Sequence, residues 1–203
     1  NPQRFLYQVR VGGPCLACLI GGFMKFALRL VGPTKLKVTE LGLGTASLAG
    51  NVSPVTEAEG RALVAKAYDT GIRYFDTAPF YGVGAAEPRV GDALRDEPRD
   101  AWVLSTKVGR LLRPRRSADA PTDGRLAPMP FGVIYDYSYD GIMRSVEDSY
   151  QRLGLAKIDI LYVHDIGTYQ HGPEGNAPHM RALRDSGYRA LQELKSGGTV
   201  SAI

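Results

Sequence analysis

The chain has 203 residues, of which 44% are hydrophobic and 23% charged, with a formal net charge of +4. That makeup belongs to one globular domain able to bury a sizeable core, and it excludes a disordered or fibrous chain. Basic residues are scattered except for Arg110, Arg113, Arg115 and Arg116, and the prolines around them make a loop rather than a nucleic-acid recognition helix.

The chain opens on Asn1, and residues 1–23 read as an unassigned, non-native or upstream extension, with the domain running over 24–203. The apolar run from Cys15 to Met24 is too short to span a bilayer and only loosely resembles a signal peptide, so no membrane role is expected. Cys15 and Cys18 have the C-x-x-C spacing of a redox pair or half a zinc site. With no second pair and no histidine cluster nearby they read as incidental thiols, and no metal is expected. Two cysteines in a chain this long favour a reducing compartment such as the cytoplasm.

From Lys25 onward, short apolar runs rich in β-branched residues alternate with longer stretches of helical period, the pattern of parallel βαβ units. Residues 26–39 predict a hairpin turning at Gly32-Pro33, and Leu41 to Ala46 the first repeating strand. Thr56 and Glu59 form a capping box, Leu63, Val64, Ala67 and Tyr68 the buried stripe of the helix that follows, and Gly71 its stop. Further strands are expected over Ile72–Phe75, Trp102–Val108, Ile158–Val163 and Thr199–Ile203, and further helices over Ala86–Arg95, Tyr139–Leu153 and His179–Lys195. The run at Ile158–Val163 suits a sheet covered on both faces. No G-x-G-x-x-G follows the first strand, which argues against a doubly wound dinucleotide-binding sheet. The segments Gly109–Ser138 and Ile166–Gly175 read as long loops, long enough to suggest a function such as covering a pocket.

Four residues sit where a core would not choose them. Asp76 ends a strand in FDTAPFYG, and Tyr81 follows in the same loop. Taken singly, Asp76 is an ordinary N-cap or loop residue and Tyr81 a packing residue. Lys107 falls inside VLSTKV, where an unpaired ammonium would be costly and a carboxylate partner is required. His164 ends ILYVHD and could by itself be a satisfied structural histidine. Three successive strands of a barrel would deliver all four to one rim, at the C-terminal strand ends where barrel enzymes work. There a lysine charge stabilises the Tyr81 phenolate and Asp76 holds the lysine in place, so Tyr81 can exchange a proton with a carbonyl or alcohol oxygen.

At these positions the sequence resembles the aldo-keto reductases, whose tetrad of Asp, Tyr, Lys and His matches Asp76, Tyr81, Lys107 and His164. GLGTA at Gly42 to Ala46 is similar to the family's first-strand segment, which implies that Gly44 and Thr45, with Asp76, lie against the nicotinamide side of NAD or NADP. LSTKVGRLLRP, YDYSYDGIMRSVEDSYQRLGL and HDIGTYQHG resemble the branch holding D-threo-aldose 1-dehydrogenase, L-fucose dehydrogenase and pyridoxal 4-dehydrogenase. The resemblance implies a (β/α)8 barrel, and oxidation of an aldose at C1, with pyridoxal or a small aldehyde as other substrates. It also implies that the chain carries only the N-terminal portion of that barrel, a hairpin plus about five βα strands. Such a piece would bind cofactor poorly. Two readings stay open: a truncated active dehydrogenase, or a short non-catalytic homologue that pairs its open edge with another chain.

Overall fold

The computed structural model describes residues 26–50, 53–115 and 129–203. The extension at 1–23 with its Cys15-Cys18 pair, and the middle of the Gly109–Ser138 segment with Arg116, lie outside the described residues.

An antiparallel hairpin, β1 (Leu28–Leu30) and β2 (Lys37–Thr39), opens the fold as expected. The main sheet consists of β3 (Leu43–Gly44), β4 (Tyr74–Asp76) and β5 (Val103–Val108), then, after a second hairpin of β6 (Arg110–Pro114) and β7 (Phe131–Tyr135), β8 (Ile160–Val163). Its strands pair in parallel in the order β3-β4-β5-β8, the order in which the chain reaches them. Helices α1 (Glu57–Asp69), α2 (Ala86–Leu94) and α3 (Tyr139–Leu153) fill the crossovers and pack side by side. Crossovers of a single hand return each helix to the same face, so the sheet curls around an interior with no reversal of strand order. This is the N-terminal portion of a (β/α)8 barrel. The expected fifth strand at Thr199–Ile203 contributes one parallel bridge, Ala202 to Ile160.

Strand alternation sorts the residues between two cores. Phe75, Leu104, Val108 and Leu161 point to the helices and meet Val64, Val90, Leu94, Ile142, Val146 and Leu153. Each of these buried side chains contributes roughly 1.5–3 kcal/mol by leaving water. Val103, Ile160 and Ala202 point the other way and pack with Tyr74 against Val31, Leu36 and Val38 of the first hairpin, which covers the sheet at the strand starts. The opposite end, where the strands finish, is left to polar residues.

Local signals explain the helix boundaries. The Thr56/Glu59 capping box forms with both of its hydrogen bonds. Gly154 ends α3 at φ 61. On α1, however, Leu63 is exposed while Val64 and Ala67 are buried, so the expected stripe is narrower by one residue. Glu87 of α2 is wholly buried, accepting from Thr106 Oγ1 at 2.7 Å and from Arg152 Nε at 2.5 Å. This ion pair ties β5, α2 and α3 together.

Three sequence expectations need correction. Gly109–Ser138 is no plain loop, because Arg110–Pro114 pairs antiparallel with Phe131–Tyr135 across five registered positions; Leu111, Leu112, Val133 and Ile134 outweigh the breaker signal of the flanking prolines. Ile166–Gly175 is largely helical: α4 (Thr168–Ala182) interrupts only at Gly172, φ 67, and resumes at Pro173, a residue preorganised for a first turn. It continues through a π-helical turn at Leu183–Gly187 into α5 (Tyr188–Ser196). The third is β8, which is not covered on both faces throughout, since Tyr162 is 44% exposed on the interior side.

Candidate active site

The strand ends bring the four singled-out residues to one rim. Asp76 is the last residue of β4, Lys107 the penultimate residue of β5, and His164 follows β8 directly. Tyr81 opens a 3-10 turn after β4. Lys107 Nζ donates to Asp76 Oδ2 at 2.6 Å and to the Thr77 carbonyl at 3.1 Å. Ser105 Oγ donates to Asp76 Oδ1 at 2.6 Å, so both carboxylate oxygens are held. Lys107 Nζ also lies 4.8 Å from the centroid of the Tyr81 ring, and that ring meets His164 edge-on at 5.9 Å.

His164 is buried, with its side chain 6% exposed. Burial, assisted by the charges of Arg110 and Lys107, pushes its pKa down to about 3. It is therefore neutral at any ordinary pH. Its buried Nδ1 has no hydrogen-bond partner, so the tautomer with the proton on Nε2 leaves no donor stranded. A neutral Nε2–H beside Tyr81 can orient an oxygen without competing for its proton. Beneath it, the Tyr137 hydroxyl donates to the His164 carbonyl at 2.7 Å. Gly109, φ +95, makes room for this, because a Cβ there would sit 2.3 Å from the Tyr137 ring.

The first-strand residues lie alongside. Gly44 pairs in register with Asp76, and the buried Thr45 bonds the Asp76 carbonyl through its amide at 2.9 Å and its hydroxyl at 3.0 Å. A Cβ on Gly44 would meet nothing within 4 Å. The backbone beside this strand end, next to Asp76, is therefore unobstructed, so a cofactor ring could approach it there.

Residues 40–203 match the model of the aldo/keto reductase family. The chain belongs to this family. It is 48% identical over 185 residues to pyridoxal 4-dehydrogenase of Microbacterium luteolum, covering 86% of the chain and 54% of that protein. D-threo-aldose 1-dehydrogenase of a Pseudomonas species is 38% identical over 83% of the chain and 50% of its own length. Among solved structures, the holo form of an aldo-keto reductase from Bacillus halodurans matches with a TM-score of 0.60 and 28% identity, over 88% of the chain and 51% of that structure. The chain thus spans about half the length of the curated relatives it matches. Both named relatives belong to the branch that the sequence motifs resemble.

This aldo/keto reductase chain also has rim residues that sequence reasoning missed. Arg110, read above as part of a basic loop, is 1% exposed. Its guanidinium bonds the Asp165 carboxylate and lies 4.2 Å over the centroid of Phe80 and 5.2 Å from that of Tyr135. The available signal was an arginine directly after Gly109 and before the apolar pair Leu111-Leu112. Among the described residues no group of three or more potential ligands could hold a metal ion, and no helix is long and apolar enough to cross a membrane.

Proposed function

We propose that the chain carries the acid–base part of an NAD(P)-dependent oxidoreductase site, with an aldose oxidised at C1 as its substrate class. The observation that carries this reading is the Lys107–Asp76 pair set against the Tyr81 ring beside a neutral His164. Lys107 places its charge 4.8 Å from the centroid of the Tyr81 ring, and Asp76, fixed by Ser105, holds the ammonium in position. His164 Nε2–H orients the reacting oxygen, whose proton passes to Tyr81 Oη in oxidation and returns from it in reduction. Gly44, Thr45 and Asp76 would flank the nicotinamide ring; when bound, the cofactor supplies the two-electron redox chemistry. The relatives' names support a sugar or pyridoxal as the compound that is oxidised or formed. The scarcity of cysteine supports a cytoplasmic setting.

The test is a fluorescence assay of reduced cofactor with the full chain, NAD+ or NADP+, and a panel of L-fucose, D-arabinose and pyridoxal. Aldose-dependent reduction is expected. No reduction with any panel member would overturn the proposal, and reduction with pyridoxal alone would overturn its aldose part.

A further inference from the structure

The Arg110–Asp165 pair stands immediately beside the proposed reaction centre, and the mechanism above does not use it. Asp165 is an unusual residue for an ion-pair partner. Its backbone takes φ 46, a left-handed conformation uncommon for any residue with a side chain. Such strained positions cluster at ligand clamps. Its side chain remains 54% exposed although the partner guanidinium is buried to 1%. Asp165 Oδ2 lies 3.6 Å from His164 Nε2, too far for a hydrogen bond but close enough that both groups face the same small volume.

Arg110 is fixed from behind. The Phe80 ring lies under its guanidinium at 4.2 Å, and Gln170 Oε1 stands 3.4 Å from its Nη2. Gln170 is itself held by donating to the Tyr135 hydroxyl at 3.0 Å. The arginine therefore cannot swing out to solvent, and it anchors a carboxylate that protrudes past it. A carboxylate only accepts hydrogen bonds, so what it can recognise is a donor such as a hydroxyl.

We infer that Asp165, positioned by Arg110, is a specificity-determining residue that accepts a hydrogen bond from a hydroxyl on the carbon adjacent to the reacting carbon. The 3.6 Å between His164 Nε2 and Asp165 Oδ2 suits two oxygens on neighbouring carbons, which is the arrangement at C1 and C2 of an aldose. A simple aldehyde offers nothing to the second position. In pyridoxal the ring hydroxyl is one carbon further from the reacting centre. The inference rests on the proposed acid–base role of the rim and narrows its substrate to compounds with vicinal oxygens.

The test compares kcat/KM of the full chain for an accepted aldose and for its 2-deoxy analogue, in the wild type, Asp165→Asn and Asp165→Ala. A hydrogen bond to a charged group predicts that the wild type prefers the parent sugar by on the order of 10- to 100-fold. In Asp165→Ala that preference ratio should fall toward one, and in Asp165→Asn, which keeps only a neutral acceptor, it should fall part of the way. Equilibrium binding of the two sugars to the cofactor-loaded Tyr81→Phe variant, with no turnover required, should show the same preference and lose it when Asp165→Ala is added. A merely structural role for Asp165 would depress both sugars equally and keep the ratio, which would overturn the inference. A wild type that oxidises substrates without the adjacent hydroxyl equally well would overturn it and leave the acid–base reading standing. A wild type that turns over no oxygen-bearing carbon would overturn both.

Discussion

Two ion pairs hang from consecutive residues of β5 and face opposite ways. On the helix side, Thr106 and Arg152 together satisfy both oxygens of the buried Glu87, and Arg152 Nη2 spends a further bond on Ser149 Oγ at 3.2 Å. On the interior side, Lys107 binds Asp76, but its surroundings are left open: Asp76 keeps 25% of its side chain exposed, and His164 Nδ1 and Arg110 Nε have no partners. A buried charge pair is thus no sign of a site by itself. Charge facing open space, beside polar atoms that the fold leaves unsatisfied, is the feature that separates the second pair from the first.

The contrast breaks most sharply under substitution. Lys107→Met should lower turnover by roughly 100- to 10,000-fold, the usual weight of a group supporting proton transfer. Glu87→Gln should leave the rate per folded molecule close to that of the wild type. Steady-state rates normalised to the folded fraction check both, and a comparable loss in Glu87→Gln would erase the distinction.

For stability the order should reverse. Glu87→Ala strands the Arg152 charge between packed helices and should cost about 3–5 kcal/mol in denaturant unfolding. Lys107→Met should cost less, because Asp76 keeps its bond from Ser105 and part of its water.

The pH dependence sharpens the interior side further. The folded pKa of His164 lies near 3 against an ordinary value of 6.5, so between those values the unfolded chain binds the extra proton. Stability from this group is complete above about 6.5 and is lost as the pH falls toward 3. A His164→Asn variant should show a flatter decline over that interval, and the His164 ring resonances should not titrate between about pH 5 and 8. The smallest expected effect lies away from both pairs: Thr56→Ala removes the α1 cap, should cost about 1 kcal/mol, and should leave turnover unchanged.

The sequence made the interior pair legible and the helix-side pair invisible, for a physical reason. Lys107 broke an apolar run at a strand end, and period-two alternation with the barrel rule placed it beside Asp76. Glu87 and Arg152 occupy ordinary helical positions, where a charged residue is normally a solvated one, and no local pattern reports that α2 and α3 close over them. The same limit hid Arg110. Its density of neighbouring prolines and arginines suggested a loop, whereas its burial depends on β7, Phe80 and Asp165 arriving from distant parts of the chain. Caps and glycine stops were read correctly because they are local, and the helical stretch from Thr168 was missed because Gly172 and Pro173 mimic a loop while serving as a break and a restart.

Tyr81, set between the Lys107 charge and the neutral His164, is the proposed carrier of the proton. Tyr81→Phe in the full chain removes that hydroxyl and little else. Single-turnover oxidation of an accepted substrate, measured beside cofactor affinity, should fall by roughly 100- to 10,000-fold with affinity within a few-fold of the wild type. Single-turnover rates within a few-fold of the wild type, with the phenylalanine in place, would contradict the claim.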